Sequence, residues 1–351
     1  MTLRQFFEQR LHRAWQHKGL LSTLLSPLSC LTAIYTRRKR QRYAQQPALT
    51  YFSHTPVIVV GNLVVGGAGK TPVVMALIDQ LRLAGYQPGV VSRGYGVKMG
   101  TQARTSKASK EASFLGDEPA LIHQEKQVPV AVHPRRVLAL QALNQDFPEV
   151  DVVIADDGLQ HLALGRQAEI IVQDQRGIGN GRLLPAGPLR ETPQRLKKAH
   201  VIVSQITADT TFNTQAPTTA NDQKIVQMRL WPSAFTALHD KQTLNLSEAT
   251  QQFRSSRVAA CAAIGQPTRF FIMLEAAGIK LAEHHAFPDH YDYADNPFSE
   301  IKADFILITP KDAVKCKKFN DPRLWVVSTE TQFSDLNWAK PVLNLLAKLK
   351  R

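Results

Sequence analysis

The sequence predicts an α/β protein: a P-loop NTPase-like, doubly wound, mostly parallel sheet, a second and smaller α/β domain, and an N-terminal membrane-associating helix. Three observations point there. From residue 55 onward, short β-branched runs alternate with amphipathic helical patterns. A glycine-rich segment ending in Lys70-Thr71 lies between the first of those runs and the first of those helices. The net charge of +14 is concentrated at one end of the 351-residue chain.

Residues 1–45 carry nine basic side chains (Arg4, Arg10, Arg13, Lys18, Arg37, Arg38, Lys39, Arg40, Arg42) and one acid, Glu8. They flank an apolar run, Gly19 to Tyr35. As a helix that run spans about 25 Å, short of a ~30 Å hydrocarbon core. Pro27 and five Ser/Thr weaken a crossing further, and the long basic region with no A-x-A site weakens a cleaved leader. The run is therefore read as an anchor in the membrane interface, with Arg37 to Arg42 against anionic lipid. A spanning helix, a buried core helix and a leader are the alternatives. Phe6, Phe7, Leu11 and Trp15 continue the amphipathic pattern upstream. With aromatics at 7% and the charge beside an apolar helix, the basicity does not indicate nucleic-acid binding.

The core domain is expected over residues 46–205. Its strands are Val57–Val60, Gly89–Ser92, Val130–Val132, Val152–Ala155, Glu169–Gln173 and Val201–Ser204, apolar on both faces as in a helix-covered parallel sheet. Val74, Leu77, Ile78 and Leu81 mark the first helix. Residues 206–223 are polar and aperiodic, which predicts a linker. The smaller domain is expected over 224–351, with strands at Ile225–Leu230, Val258–Ile264, Phe305–Ile308 and Leu324–Val327. A helix is expected near Thr268–Ala277, and a closing helix from Trp338 could pack back on the core. Cys30, Cys261 and Cys316 are scattered and form no C-x-x-C pair, so they read as reduced thiols.

The chemistry begins in V-I-V-V-G-N-L-V-V-G-G-A-G-K-T-P (57–72). A phosphate-binding loop needs backbone N–H groups turned inward, a helix N-terminus, a lysine for the β/γ-phosphates and a hydroxyl for Mg²⁺. Gly66, Gly67, Ala68 and Gly69 supply the loop, Lys70 the cation and Thr71 the metal ligand. Val64 stands where the strict pattern has its first glycine. Asp156 and Asp157 end the fourth strand, where a P-loop protein places its further Mg²⁺ carboxylate; spacing leaves open which of the two binds directly. A loop of this kind beside a membrane-seeking helix also suggests a membrane-recruited ATPase switch of the partition type. Such proteins carry a lysine before the glycine pair, where this chain has Val65.

Seven segments in order resemble the tetraacyldisaccharide 4'-kinase family of lipid A biosynthesis. They are V-G-N-L-V-V-G-G-A-G-K-T-P (60–72), S-R-G-Y-G (92–96), G-D-E-P-A-L (116–121), D-D-G-L-Q-H (156–161), L-L-P-A-G-P-L-R-E (183–191), F-P-D-H-Y-D-Y (287–293) and I-T-P-K-D-A-V-K (308–315). That family's loop also lacks the first glycine. The resemblance implies an ATP- and Mg²⁺-dependent kinase that phosphorylates the 4'-hydroxyl of the tetraacylated disaccharide 1-phosphate. It implies work at the cytoplasmic face of the bacterial inner membrane, peripheral or N-terminally anchored, with no nucleic acid and no required protein partner.

The same resemblance makes Asp117 the base on the sugar hydroxyl and gives it His290 as a partner. It places Arg190 near the nucleotide phosphates or the substrate. Arg93 and Tyr95 follow a strand into the same crevice and are candidates for substrate or phosphate contact, as is Asp156. His161 either orients the carboxylates or packs in the core. Arg135 and Arg136 lie near a family arginine, with the register open between them. Lys311-Asp312 reads as a nucleotide-edge or hinge contact. His284 and His285 are adjacent, so on a strand they face opposite sides and suggest no zinc cluster.

Overall fold

The computed structural model describes residues 15–213, 225–289 and 291–349. Within them the chain forms two compact units, one of residues 15–205, 225–226 and 335–349, the other of residues 206–213 and 227–334. These bounds differ from the compositional ones for packing reasons. Ala208, inside the expected linker, is buried in the second unit's core. The chain returns to the first unit at residue 335, where Trp338, Val342 and Leu346 are buried.

The N-terminal apolar run is two helices, α1 (Leu20–Leu24) and α2 (Ser26–Gln45). Pro27 sits in the first turn of α2, where its missing N–H costs nothing and its ring breaks continuity with α1. Among the described residues no helix is long and apolar enough to cross a membrane, which sets aside the spanning alternative. The pair is instead a two-faced element of the first unit. On the inner face the Ser22 hydroxyl donates to the carbonyl of Ala186 (2.7 Å) and the Ser29 hydroxyl to that of Leu183 (2.7 Å). Ala33 packs on the core, and Arg40 pairs with the buried Glu191. The outer face exposes Leu21, Leu24, Leu28, Leu31 and Tyr35, and Arg38 and Arg42 continue its row. Of the upstream aromatics, Phe6, Phe7 and Leu11 lie outside the described residues.

The first unit's strands are β1 (Val57–Gly61), β2 (Pro88–Ser92), β3 (Arg104–Thr105), β4 (Val130–Val132), β5 (Val152–Asp156), β6 (Ala168–Gln173) and β7 (Val201–Gln205). They lie in the order β3-β4-β2-β5-β1-β6-β7, parallel throughout except at β3. Every residue of β1, β2, β4 and β5 is buried, which accounts for their unbroken apolar sequence. Helix α3 (Lys70–Leu83) buries Val73, Val74, Leu77, Ile78 and Leu81, the stripe read from the sequence. Three more helices follow: α4 (Ala112–Leu115), α5 (Asp117–Lys126) and α6 (Arg136–Asp146). From β1 the chain crosses over β5 to reach β2, and from β5 it crosses back over β1 to β6. The carboxyl ends of β1 and β5 thus flank a switch in strand order, where sheets of this kind hold ligands.

The second unit has strands β8 (Ile225–Ala237), β9 (Thr243–Asn245), β10 (Val258–Ala262), β11 (Glu283–Ala286), β12 (Phe305–Ile308) and β13 (Leu324–Phe333). Its order is β11-β10-β12-β13-β8, with β9 paired to β8. The helices are α7 (Leu246–Phe253), α8 (Pro267–Ala276) and α9 (Pro310–Cys316), and α10 (Lys340–Leu349) closes the chain in the first unit. Strand β8 runs well past the expected Leu230 because it pairs antiparallel with β13 from Met228 to Ala237. His284 stacks on Phe271 (5.0 Å between rings), whereas His285 turns to Glu283 (2.9 Å), on the opposite side of β11.

Candidate active site

Gly66 and Gly69 adopt positive φ (94° and 78°), a region that costs a side chain dearly. A Cβ at Gly69 would also collide with the Gln205 side chain at the end of β7. The loop is pinned from two sides by residues the sequence did not flag. Asn62, fully buried, donates its amide to the carbonyls of Val64 (2.8 Å) and Gly66 (3.2 Å). Arg176, braced by Asp174 (2.8 Å), donates to the carbonyls of Val65 (3.3 Å) and Gly67 (3.0 Å). With their carbonyls engaged outward, the loop's N–H groups are left for an anion at the start of α3.

Lys70 begins α3 and lies 3.6 Å from Oδ1 of Asp157 and 3.5 Å from Oδ1 of Asn62. Arg190 reaches the same carboxylate, 3.2 Å from each oxygen, and also bonds Gln160. Its backbone N–H is held by the carbonyl of Leu63 (2.7 Å), so the P-A-G-P-L-R-E segment lies along the loop. Burial would raise the Asp157 carboxyl, but Lys70 and Arg190 outweigh it and hold it below the usual range. Asp157 has φ 48°, a left-handed conformation in a non-glycine residue, as found where a site holds its backbone under strain.

Asp156 behaves oppositely. It is 2% exposed, Oδ2 accepts from the Ser92 hydroxyl (3.1 Å), and Oδ1 is buried with no hydrogen-bond partner. Burial, then the charge of Glu118, push its pKa up to about 6 against the pull of Lys70. Of the two arginines in P-R-R, Arg136 is the one packed inside. It is buried at the start of α6 and donates to the carbonyls of His133 (3.2 Å) and Asp156 (3.4 Å), while Arg135 is exposed. His161 accepts at Nε2 from the backbone N–H of Arg136 (3.2 Å). Burial, then Arg136, lower its pKa to about 4, so it is a neutral imidazole committed to the helix start.

Asp117 opens α5 after Gly116, whose φ is 96°. A Cβ on Gly116 would stand 2.9 Å from the carbonyl of Tyr95, so the G-D-E-P and S-R-G-Y-G segments touch through a position only glycine fits. Beside it Arg93 and Tyr95 expose their side chains. The structure thus gathers Lys70, Thr71, Asp156, Asp157 and Arg190 around one loop, and Glu118, next to Asp117, within electrostatic reach of Asp156. His290 lies outside the described residues.

A parallel sheet with a lysine-bearing glycine loop after one strand and paired aspartates after its neighbour defines a P-loop nucleotide-binding enzyme. Comparison with known proteins narrows the class. The chain belongs to the tetraacyldisaccharide-1-P 4'-kinase family, whose model matches residues 21–347. Relatives named tetraacyldisaccharide 4'-kinase occur in Bordetella petrii (49% identical over 326 residues, 92% of this chain and 91% of that one) and Herminiimonas arsenicoxydans (43% over 348 residues, 95% and 93%). A crystal structure of LpxK from Aquifex aeolicus in complex with ATP matches with a TM-score of 0.75 at 26% identity, covering 94% of this chain and 99% of that one. The chain is accordingly an ATP-dependent kinase of lipid A biosynthesis, acting on the 4'-hydroxyl of the tetraacylated disaccharide 1-phosphate. The partition-type switch is set aside.

Proposed function

We propose that this kinase transfers the γ-phosphoryl group through a division of labour among the residues gathered above. The convergence of Lys70 and Arg190 on Asp157, beside the unpartnered Oδ1 of Asp156, is the observation that carries it. The loop N–H groups and Lys70 take the β/γ-phosphates, and Arg190 follows the moving phosphoryl group. Asp117 accepts the proton of the 4'-hydroxyl as the P–O bond forms, with His290 orienting it. Arg93 and Tyr95 contact the sugar phosphate.

The donor set fits Mg²⁺: a hydroxyl at Thr71, the unpartnered oxygen of Asp156 and the carboxylate of Asp157, leaving other positions to phosphate and water. Among the described residues no cluster of three or more His, Cys, Asp or Glu could hold a metal ion by itself. When bound, the ion offsets phosphate charge.

Because its folded pKa lies above the unfolded value, Asp156 favours the fold when protonated. That contribution is present below about pH 4 and lost as pH rises through about 6. A divalent cation needs the ionised form. ATP affinity in the presence of Mg²⁺ is therefore expected to rise as pH increases across 6, and Asp156→Asn to give a weaker, flat profile. Calorimetric titration from pH 5 to 8 checks this, and an unchanged slope in Asp156→Asn counts against the metal role.

The outer row of α1 and α2, leucines followed by arginines, supports work at the cytoplasmic face of the inner membrane against anionic lipid. Leu24, Leu28 and Leu31 are 76%, 49% and 63% exposed. Converting the three to Gln is expected to weaken binding to anionic vesicles about a hundredfold, at roughly 1 kcal/mol or more per side chain. Activity on substrate in detergent micelles should hold. Vesicle sedimentation at wild-type strength in the triple variant would remove this role.

A further inference from the structure

The structure divides the basic run that the sequence assigns as a whole to anionic lipid. Arg37, Arg38 and Arg42 are exposed on α2, whereas Lys39 and Arg40 are half-buried against the first unit. Consecutive residues on a helix point about 100° apart, so these two reach different segments. Nζ of Lys39 donates to the backbone carbonyl of Gln160 (3.3 Å), in the turn that follows β5. Arg40 pairs with Glu191, the residue after Arg190.

Those two segments meet at Arg190. The Gln160 side chain accepts from the Arg190 guanidinium (3.3 Å) and donates to the carbonyl of Asn62 (3.2 Å), whose own amide pins the glycine loop. Glu191 is 4% exposed and also lies 3.7 Å from Arg195. Arg195 in turn pairs with Glu169, which Arg166 reaches as well (3.4 Å). Arg190 is thus approached from α2 by two routes, through Gln160 at its side chain and through Glu191 along its backbone. Neither contact adds much stability. The Lys39 bond ends on a neutral carbonyl, and a charge pair as deep as Glu191 loses to desolvation most of what it gains by attraction.

We propose that Lys39 and Arg40 are positioning residues for the phosphoryl-transfer reaction: through Gln160 and Glu191 they fix the place of the Arg190 guanidinium. This rests on the reading of Arg190 as the cation that follows the moving phosphoryl group. Both act through the polypeptide, not on the substrate.

The test uses the full-length enzyme with ATP and disaccharide 1-phosphate in non-ionic detergent micelles. Lys39→Met is expected to lower kcat about threefold and Arg40→Met about tenfold, since small misplacements of a group acting on the transition state are costly. KM for ATP should stay near wild type, and Lys39→Arg should recover most of its loss. Arg40→Met leaves Glu191 with Arg195 alone, so the double variant Arg40→Met/Glu191→Gln, which removes both charges, is made beside it. It should be as slow as Arg40→Met while melting close to wild type. In an Arg190→Ala background the same substitutions should cost nothing further. Wild-type kcat in both Lys39→Met and the double variant, or equal losses with and without Arg190, would overturn the proposal. So would wild-type kcat in micelles joined to weaker sedimentation with anionic vesicles, which would return the two residues to the lipid-facing set. Wild-type kcat in Arg190→Ala alone would overturn the reading beneath it, and the positioning role with it.

Discussion

Asp117→Asn is expected to lower kcat by about 10²–10⁴-fold, the range for removing a positioned general base, while leaving ATP affinity close to wild type. The substitution keeps the shape of the side chain. It also keeps the start of α5, because the turn there is set by Gly116 and its contact with Tyr95. On the proposed role, loss of the carboxylate falls on proton transfer from the 4'-hydroxyl. Steady-state phosphorylation of the disaccharide in micelles, with ATP binding followed separately, gives the split. A kcat within tenfold of wild type would remove Asp117 from the role of base.

Lys70→Ala is the second large effect. Removing a cation aimed at transferring phosphoryl oxygens is expected to cost about 10²–10³-fold in kcat and to weaken ATP binding as well. Asp157 would then keep only Arg190 of its two cationic partners, so its carboxyl should titrate higher than in the wild type. The double variant with Arg190→Ala should cost far less than the two single losses multiplied, because both side chains share one carboxylate and, on the proposed roles, serve one anion. Single-turnover transfer of labelled γ-phosphate measures the chemical step directly. Independent, multiplicative losses would mean that the two cations serve different groups.

Much of this arrangement was legible in the sequence, and the parts that were not have a common character. Strands β1, β2, β4 and β5 are buried on both faces, so their composition alone marks them. The far half of β8, with Trp231, Pro232 and Thr236, carries no such signature; its place is decided by pairing with β13, almost a hundred residues away in sequence. The same divide runs through the site. Lys70 and Thr71 sit in a motif whose spacing is dictated by a phosphate. Asn62, Arg176 and Gln205 shape that loop from three separate elements, and no local pattern joins them. Asn62 came nearest to being visible, as an amide placed at the tip of a buried strand just before the glycines. Arg135 and Arg136 are alike in sequence and differ in burial, which is a property of the fold.

The serines of the N-terminal helices bear on how such an enzyme could be transplanted between membranes. Ser22, Ser29 and Arg40 answer to the segment around residues 183–191, which also carries Arg190, whereas the leucines and arginines of the opposite row are exposed. One stretch of chain is thus written in two scripts that interleave residue by residue. A chimera that exchanged the whole stretch with a distant relative would take Arg40 from the buried Glu191 and leave it Arg195 alone of the two. One that exchanged only the outward letters would, on the proposed membrane role, change the lipid address and leave the phosphate site as it was.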